Sequence, residues 1–390
     1  MAPIALAFAV LGIGSPSDLG LVLASAWIPQ IVFILAGGVW ADRLPRNAVM
    51  TTANLLSGAA QAGVALLLLL HVAQLWHLIA LQVARGIAIS FFFPASQGVV
   101  PHTVEPDHLQ QANALLRLSQ NATTIFAAAL GGGLVATIGS GWAIAFDALT
   151  YFASAALLAQ MRTRVPARDK RAGFVRELRE GWDEFRSRTW LWLVVVAAAI
   201  GNMVWVGGGA VLGPVVAKRS LGGAGGWGIV VAAEAVGLVA AGVLALRWRP
   251  ERLLFWGVLG LFLGAPYLAT LAVPLSLPLV VLAVAASGFG IELFNVYWVT
   301  ALQQHVPDEV LARVNSYDAL GSFVFIPIGL TVVGPVADAI GVSTTLWIIT
   351  GIDALMAVAM LASADVRRLR RVEPLVVPGP DAEPVPPPIR

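Results

Sequence analysis

Gly38-Val-Trp-Ala-Asp42-Arg43 closes one hydrophobic run of this chain, and Gly242-Val-Leu-Ala-Leu246-Arg247 closes another in its second half. The leading Gly, the Val, the Ala and the Arg align without a gap. Other pairs recur at a similar offset: Pro106-Asp107 with Pro307-Asp308, Asn113 with Asn315, and Asp147-Ala-Leu with Asp353-Ala-Leu. A chain that repeats itself over half its length, with both halves apolar, reads as two copies of one membrane module. Such a duplication suits a machine that rocks two halves about a central site.

Composition points the same way. Of 390 residues, 58% are hydrophobic and 12% charged, and the mean hydropathy is +0.82. Soluble domains carry about 25% charged residues, so half that supply cannot keep a chain this apolar in water. No cysteine is present, which excludes disulfides and thiolate chemistry. Net charge is only +2 and most arginines fall between the apolar runs, so no nucleic-acid partner is expected.

A membrane-crossing helix needs about 20 apolar residues. The first half supplies runs at 19–40, 48–70, 77–98, 112–137 and 141–161, and the second at 190–213, 225–246, 253–273, 279–302, 312–337 and 343–363. Prolines 29, 94, 266 and 327 inside them are tolerable, because neighbouring helices can satisfy freed backbone groups. Gly131–Gly133 and Gly207–Gly209 allow close helix contact. Residues 2–13 are apolar but would form only about 18 Å of helix where ~30 Å is needed. Repeat symmetry demands a helix there, so the chain is expected to start inside its first helix, through a misplaced start codon or a true truncation. The reading is therefore an all-α integral membrane protein. A first six-helix bundle spans 1–162, an amphipathic linker 163–189, a second bundle 190–366 and a Pro-rich, disordered tail 367–390.

Lysine and arginine set the orientation. Of 24 basic residues, 20 fall on the side of the mid-chain loop, two (Lys218, Arg219) on the other, and two (Arg85, Arg117) within spans. Both termini are thus expected in the cytoplasm, in the inner membrane of a bacterium. In the linker, Phe174, Leu178, Trp182 and Phe185 recur at helical spacing, which predicts an amphipathic helix at the membrane surface.

Gly38-Val-Trp-Ala-Asp42-Arg43-Leu-Pro-Arg46 resembles the loop 2–3 signature of the major facilitator superfamily: a Gly, four residues on an Asp-Arg, then a further basic residue. Three stretches are similar to the twelve-helix drug:proton antiporters of the macrolide-efflux and enterobactin-exporter type. They are Phe93-Pro94-Ala95 leading to Pro106-Asp107 and Asn113-Ala-Leu, Phe146-Asp147-Ala-Leu-Thr-Tyr151, and Leu178-Arg-Glu-Gly181-Trp with Arg188-Thr-Trp190. The resemblance implies a major facilitator fold of two pseudo-symmetric six-helix bundles and a monomer that binds a small molecule within the bilayer. It implies no cofactor, the proton gradient being the energy source. The chain departs from the group in lacking a Gly-Pro pair in its fifth helix, and Gly334-Pro335 stands in the eleventh instead.

Within the signature, Gly38 permits close helix approach, and Asp42 can face the N-terminus of the eleventh helix near Leu311–Asn315 and gain from its dipole. Arg43 and Arg46 can pair with Asp42 or with lipid phosphate, or can act as positive-inside anchors. Together the four form a candidate conformational latch, and Leu246 leaves the second copy without the carboxylate. Ionisable residues inside spans are functional candidates by default. Glu234, Glu292, Arg85 and Arg117 are the proton-coupling candidates, since a carboxyl in hydrocarbon holds its proton more readily than one in water. Arg85 also resembles the family's fourth-helix arginine, without the Gln-Gly that follows it there. A structural Arg–Glu pairing is the alternative. The repetition of Asp147 and Asp353 argues for a shared structural role. Candidate substrate-facing residues are Gln30, Asn202, Trp205, Asn295 and Trp298. The five histidines show no metal-ligand spacing, and no phosphate loop or catalytic triad is visible, so no enzymatic activity is expected. The expected function is proton-coupled efflux of a hydrophobic or amphipathic small molecule, such as a drug or siderophore. A facilitator importing a solute and a non-transporting homologue are the alternatives.

Overall fold

The structure, a computed structural model, describes residues 1–41, 45–103, 109–161, 174–273 and 275–371; at 34–41, 93–94, 97–103, 109–118, 121, 174–178, 180, 308–309 and 312–313 it describes the backbone alone. Every described element is a helix. The first half holds α1 (Ala2–Ile13), α2 (Pro16–Ala41), α3 (Arg46–Leu69), α4 (Leu75–Thr103), α5 (Leu109–Ile138) and α6 (Ser140–Gln160). The linker helix is α7 (Phe174–Ser187). The second half holds α8 (Thr189–Gly207), a π-helical turn at Gly208–Leu212, and then α9 (Gly213–Ser220), α10 (Gly223–Arg247), α11 (Leu253–Leu261) and α12 (Gly264–Ala272). It continues with α13 (Leu277–His305), α14 (Asp308–Phe323), α15 (Ile326–Ile340), α16 (Val342–Ala362) and the short α17 (Ala364–Arg368). Ten of the described helical stretches are long and apolar enough to cross a membrane. The described apolar part of α5, Ala122–Ile138, falls below that length, as does α1 with its 12 residues. Large apolar side chains such as Phe126, Leu157 and Leu282 are more than half exposed on the outside, a surface suited to lipid and not to water. The expected Pro-rich tail lies outside the described residues from 372 onward.

Three of the expected spans are broken, and each break has a proline four residues beyond it. A proline removes one helical hydrogen bond and its ring meets the carbonyl four residues back. Pro266 aims at Phe262, between α11 and α12. Pro327 aims at Phe323, the last residue of α14, and Pro214 at Ala210 within the π-helical turn. Pro29, by contrast, sits inside an unbroken α2. The start of α2 is a reciprocal cap. Ser15 N donates to Asp18 Oδ2 at 2.8 Å while Asp18 N donates to Ser15 Oγ at 3.3 Å, with Pro16 opening the helix.

The halves meet along α2 against α15 and α5 against α10. Lipid tails give no hydrophobic drive for this, so the contact depends on backbones approaching closely. A Cβ on Gly20 would lie 2.0 Å from the Leu330 carbonyl oxygen, and one on Gly132 2.8 Å from Gly228 Cα. At the end of the bundle that carries the Ser15 turn, Ser17 Oγ donates to Asp338 Oδ2 at 2.5 Å. Lys218 Nζ there donates to the Leu11 carbonyl, one of the unpaired carbonyls closing α1. The described core follows the same division. Towards this end one cluster joins α1, α2 and α5 to α10, α12 and α15, whereas towards the Arg-rich end one cluster in each half stands separately. The linker's apolar stripe meets protein as well as any membrane surface. Phe185 is buried, and its ring and that of Trp182 lie 6.0 and 5.4 Å from Tyr317 of α14.

Ser17→Cys combined with Asp338→Cys should therefore form an intramolecular disulfide under mild oxidation, in a chain with no other cysteine to compete. Loss of maleimide labelling of both thiols, restored by reductant, is the readout. Full labelling after oxidation would show that the two sites do not meet.

Candidate functional site

Two chambers lie side by side in the interior, and Trp205 of α8 lines both. The first, of about 460 Å³, sits between the halves, walled by α1, α2 and α5 on one side and by α8, α9, α10 and α12 on the other. That volume is in the range of small-molecule sites. Its described lining is apolar and aromatic apart from Thr123, Thr124, Tyr267 and one carboxylate, Glu234, on the cavity face of α10. Glu234 has no hydrogen-bond or ion-pair partner among the described residues. The backbone behind it is held by Gly288 of α13, where a Cβ would come within 2.3 Å of the Glu234 carbonyl oxygen. The π-helical turn beside it widens α8 at Gly208–Leu212 and presents Gly209 and Ala210 to the chamber. Such turns often mark functional positions. Tyr267 is buried, with its ring 5.5 Å from that of Trp205.

The second chamber, of about 380 Å³, lies wholly within the second half, between α8, α11, α12, α13, α14 and α16. Asn202 and Asn295 line it, as does Trp298, whose indole Nε1 donates to Asp318 Oδ2 at 2.9 Å. Asn202 Nδ2 donates to the Ser322 carbonyl at 3.0 Å and ties α8 to α14. Interhelical bonds of this kind contribute about 0.6 kcal/mol on average in membranes. Asp318, Ser322 and Asp353 complete the polar lining.

Of the residues expected at the site, Glu234 and Trp205 thus fall on the inter-half chamber, and Asn202, Trp205, Asn295 and Trp298 on the second. Gln30, half-buried on α2, lines neither, and Glu292, half-buried on α13, is engaged elsewhere. Arg85 is half-buried on α4, lines neither chamber, and keeps its Nε out of water without a hydrogen bond. The side chain of Arg117 lies outside the described residues, as do Asp42 and Arg43; of Gly38 only the helical backbone is described. Arg46 opens α3 with its Nε buried and unbonded. Asp318 was not among the expected residues, although Asp318-Ala-Leu320 repeats the Asp-Ala-Leu of 147 and 353 a third time. Among the described residues no group of three His, Cys, Asp or Glu could hold a metal.

Comparison with known proteins agrees with this architecture. The MFS-type transporter YfiS of Bacillus subtilis, itself uncharacterized, is 26% identical over 346 residues, covering 84% of this chain and 80% of that one. The enterobactin exporter EntS of Shigella boydii is 26% identical over 390 residues, covering 94% and 91%. Among solved structures, the nucleoside transporter NupG superposes with a TM-score of 0.70 at 13% identity over 92% of this chain and 93% of its own. A bacterial homologue of the human lysosomal transporter Spinster, in an inward-facing and occupied conformation, gives 0.74 at 14% identity over 92% and 91%. These likenesses concern the fold. The family model of the Major Facilitator Superfamily matches residues 1–329. With that match added to the duplicated helices and the chamber between them, this chain belongs to the Major Facilitator Superfamily and is a multi-pass membrane transporter.

Proposed function

We propose that the chain is a proton-coupled exporter of hydrophobic or amphipathic small molecules, working by alternating access. The observation that carries this is Glu234, the one carboxylate in the described lining of a largely apolar chamber between the two halves, with no hydrogen-bond or ion-pair partner among the described residues. A charge left alone in hydrocarbon is costly, so it persists where it has work to do. A group that is neutral when protonated and charged when not can make the stability of one packing of the halves depend on proton occupancy. Export is the direction supported by the relative named as an enterobactin exporter. The lysine and arginine asymmetry supports placing the Arg-rich end and both termini in the cytoplasm. The Ser17–Asp338 and Lys218–Leu11 contacts then close the outer face, and they must part in each cycle.

Glu234→Gln keeps the size of the side chain and removes its ability to carry a proton. In inverted vesicles under an imposed pH gradient, this variant should lose at least about tenfold in efflux of a fluorescent amphipathic substrate while remaining folded. Undiminished transport would move coupling to Glu292, or point to a facilitator instead.

Asp42, read as the acidic half of a latch on the cytoplasmic side, supplies a second test. A charge–dipole contact of about 0.3–1 kcal/mol corresponds to roughly a two- to fivefold change in a two-state ratio. Asp42→Asn should speed the labelling of a reporter cysteine at position 313 from the cytoplasmic side by that factor. Leu246→Asn, at the matching position of the second copy, should leave it unchanged, since Leu246 is 71% exposed and no carboxylate is lost. Equal rates in all three proteins would reduce the repeated hexapeptide to an anchoring device.

A further inference from the structure

The two halves treat their matching aspartates differently. In the first half, Gln61 Nε2 donates to Asp147 Oδ2 at 3.0 Å and ties α3 to α6. Gly58, Gln61 and Asp147 stand at the same spacings as Gly264, Tyr267 and Asp353 in the second half. Tyr267, however, packs its ring on Trp205 and lines the inter-half chamber with Glu234. Asp353 is left with no hydrogen-bond or ion-pair partner among the described residues, and it lines the second chamber. Bare backbone at Gly264 brings it close to an aromatic wall, since a Cβ there would stand 3.2 Å from Asp353 Oδ2 and 3.0 Å from the Trp205 ring.

The other acid of this chamber is already held. Asp318 accepts from Trp298 Nε1 at 2.9 Å on one oxygen and from Ser322 Oγ at 3.1 Å on the other. Phe294 and Trp298 stack with ring centroids 6.1 Å apart, presenting aromatic surface beside the acids. No described lining residue is Lys, Arg or His. The chamber therefore sets two carboxyls among aromatic rings, with no basic side chain in its described lining. A hard metal cation would ask for about six oxygen ligands, and the chamber offers two carboxyls and amides among indoles. Carboxylates beside aromatic faces are the pattern that holds organic ammonium and onium ions. An anionic solute would meet repulsion there.

We propose that the chamber inside the second half is a binding site for aromatic or amphipathic organic cations, with Asp353 as the counter-ion. That such a cation is also cargo rests on the exporter reading; the binding does not. Calling Asp353 a structural twin of Asp147 is thereby set aside, because only Asp147 has the partner that a structural role requires.

The test uses two ions of the same shape and opposite charge, tetraphenylphosphonium and tetraphenylborate, with the purified full chain in detergent and no proton gradient. Equilibrium binding is followed by calorimetry after subtraction of the micelle signal. Saturable binding of the phosphonium and at least tenfold weaker binding of the borate are expected. Asp353→Asn should weaken the phosphonium at least tenfold, Asp353→Glu should restore most of that loss, and Asp147→Asn should stay within about twofold of the native chain. Equal binding of the two ions overturns the proposal, and so does unchanged affinity in Asp353→Asn. Should Asp353→Asn fail to fold, the comparison of the two ions on the native chain decides alone. Phosphonium binding by a protein that moves nothing under a pH gradient would refute the exporter reading and leave this site standing.

Discussion

Hydrocarbon offers a backbone no partner, so every amide freed from a helix must find another or face a cavity. The rest of the structure follows from that constraint. The described helices of the second half are interrupted ahead of Pro214, Pro266 and Pro327, the last of these at the exposed residues Phe323, Val324 and Phe325. All three interruptions border the chambers: the π-helical turn presents Gly209 and Ala210 to one, while the α11–α12 break precedes Gly264 and the α14–α15 break follows Phe323 on the other. The same prolines that loosen the second half also shape the space within it, whereas the described helices of the first half are continuous.

Duplication supplies the frame, and divergence between the copies supplies the chemistry. Asp42 has Leu246 as its counterpart, so the acid of the hexapeptide exists once. Gln61 has Tyr267, so the amide that satisfies Asp147 has no equivalent beside Asp353. The carboxylates that line the chambers, Glu234, Asp318 and Asp353, all belong to the second half. Arg85 and Arg117 belong to the first.

The spans were legible because a run of about twenty apolar residues has few alternatives. Their breaks were not, because a proline in a membrane helix can be absorbed, as Pro29 is, or can interrupt it, as Pro266 does. What decides is whether neighbours satisfy the freed carbonyl, and that depends on residues far away in the chain. Glu234 was legible from its isolation on an apolar helix. Gln30 lines neither chamber, since polarity marks a candidate without telling which face of α2 it occupies. The difference between Asp353 and Asp147 was hidden for a related reason. Repetition suggested a common role, but a role depends on the partner, and the partner lies on another helix. Asp318 escaped notice because its bonds to Trp298 and Ser322 join α13 to α14 and add a turn within α14, pairings that no short motif advertises.

Trp205 connects these observations. Its indole is the wall common to both chambers, and it touches Tyr267, which shares the inter-half chamber with Glu234, while its edge lies near Asp353 across Gly264. It stands three residues before the π-helical turn, where the helix ladder is already disturbed and a small rotation of α8 is least costly. The two chambers therefore share one ring as a wall, and the bare backbone of Gly264 is what lets that ring lie so close to α12, since a Cβ there would stand 3.0 Å from it.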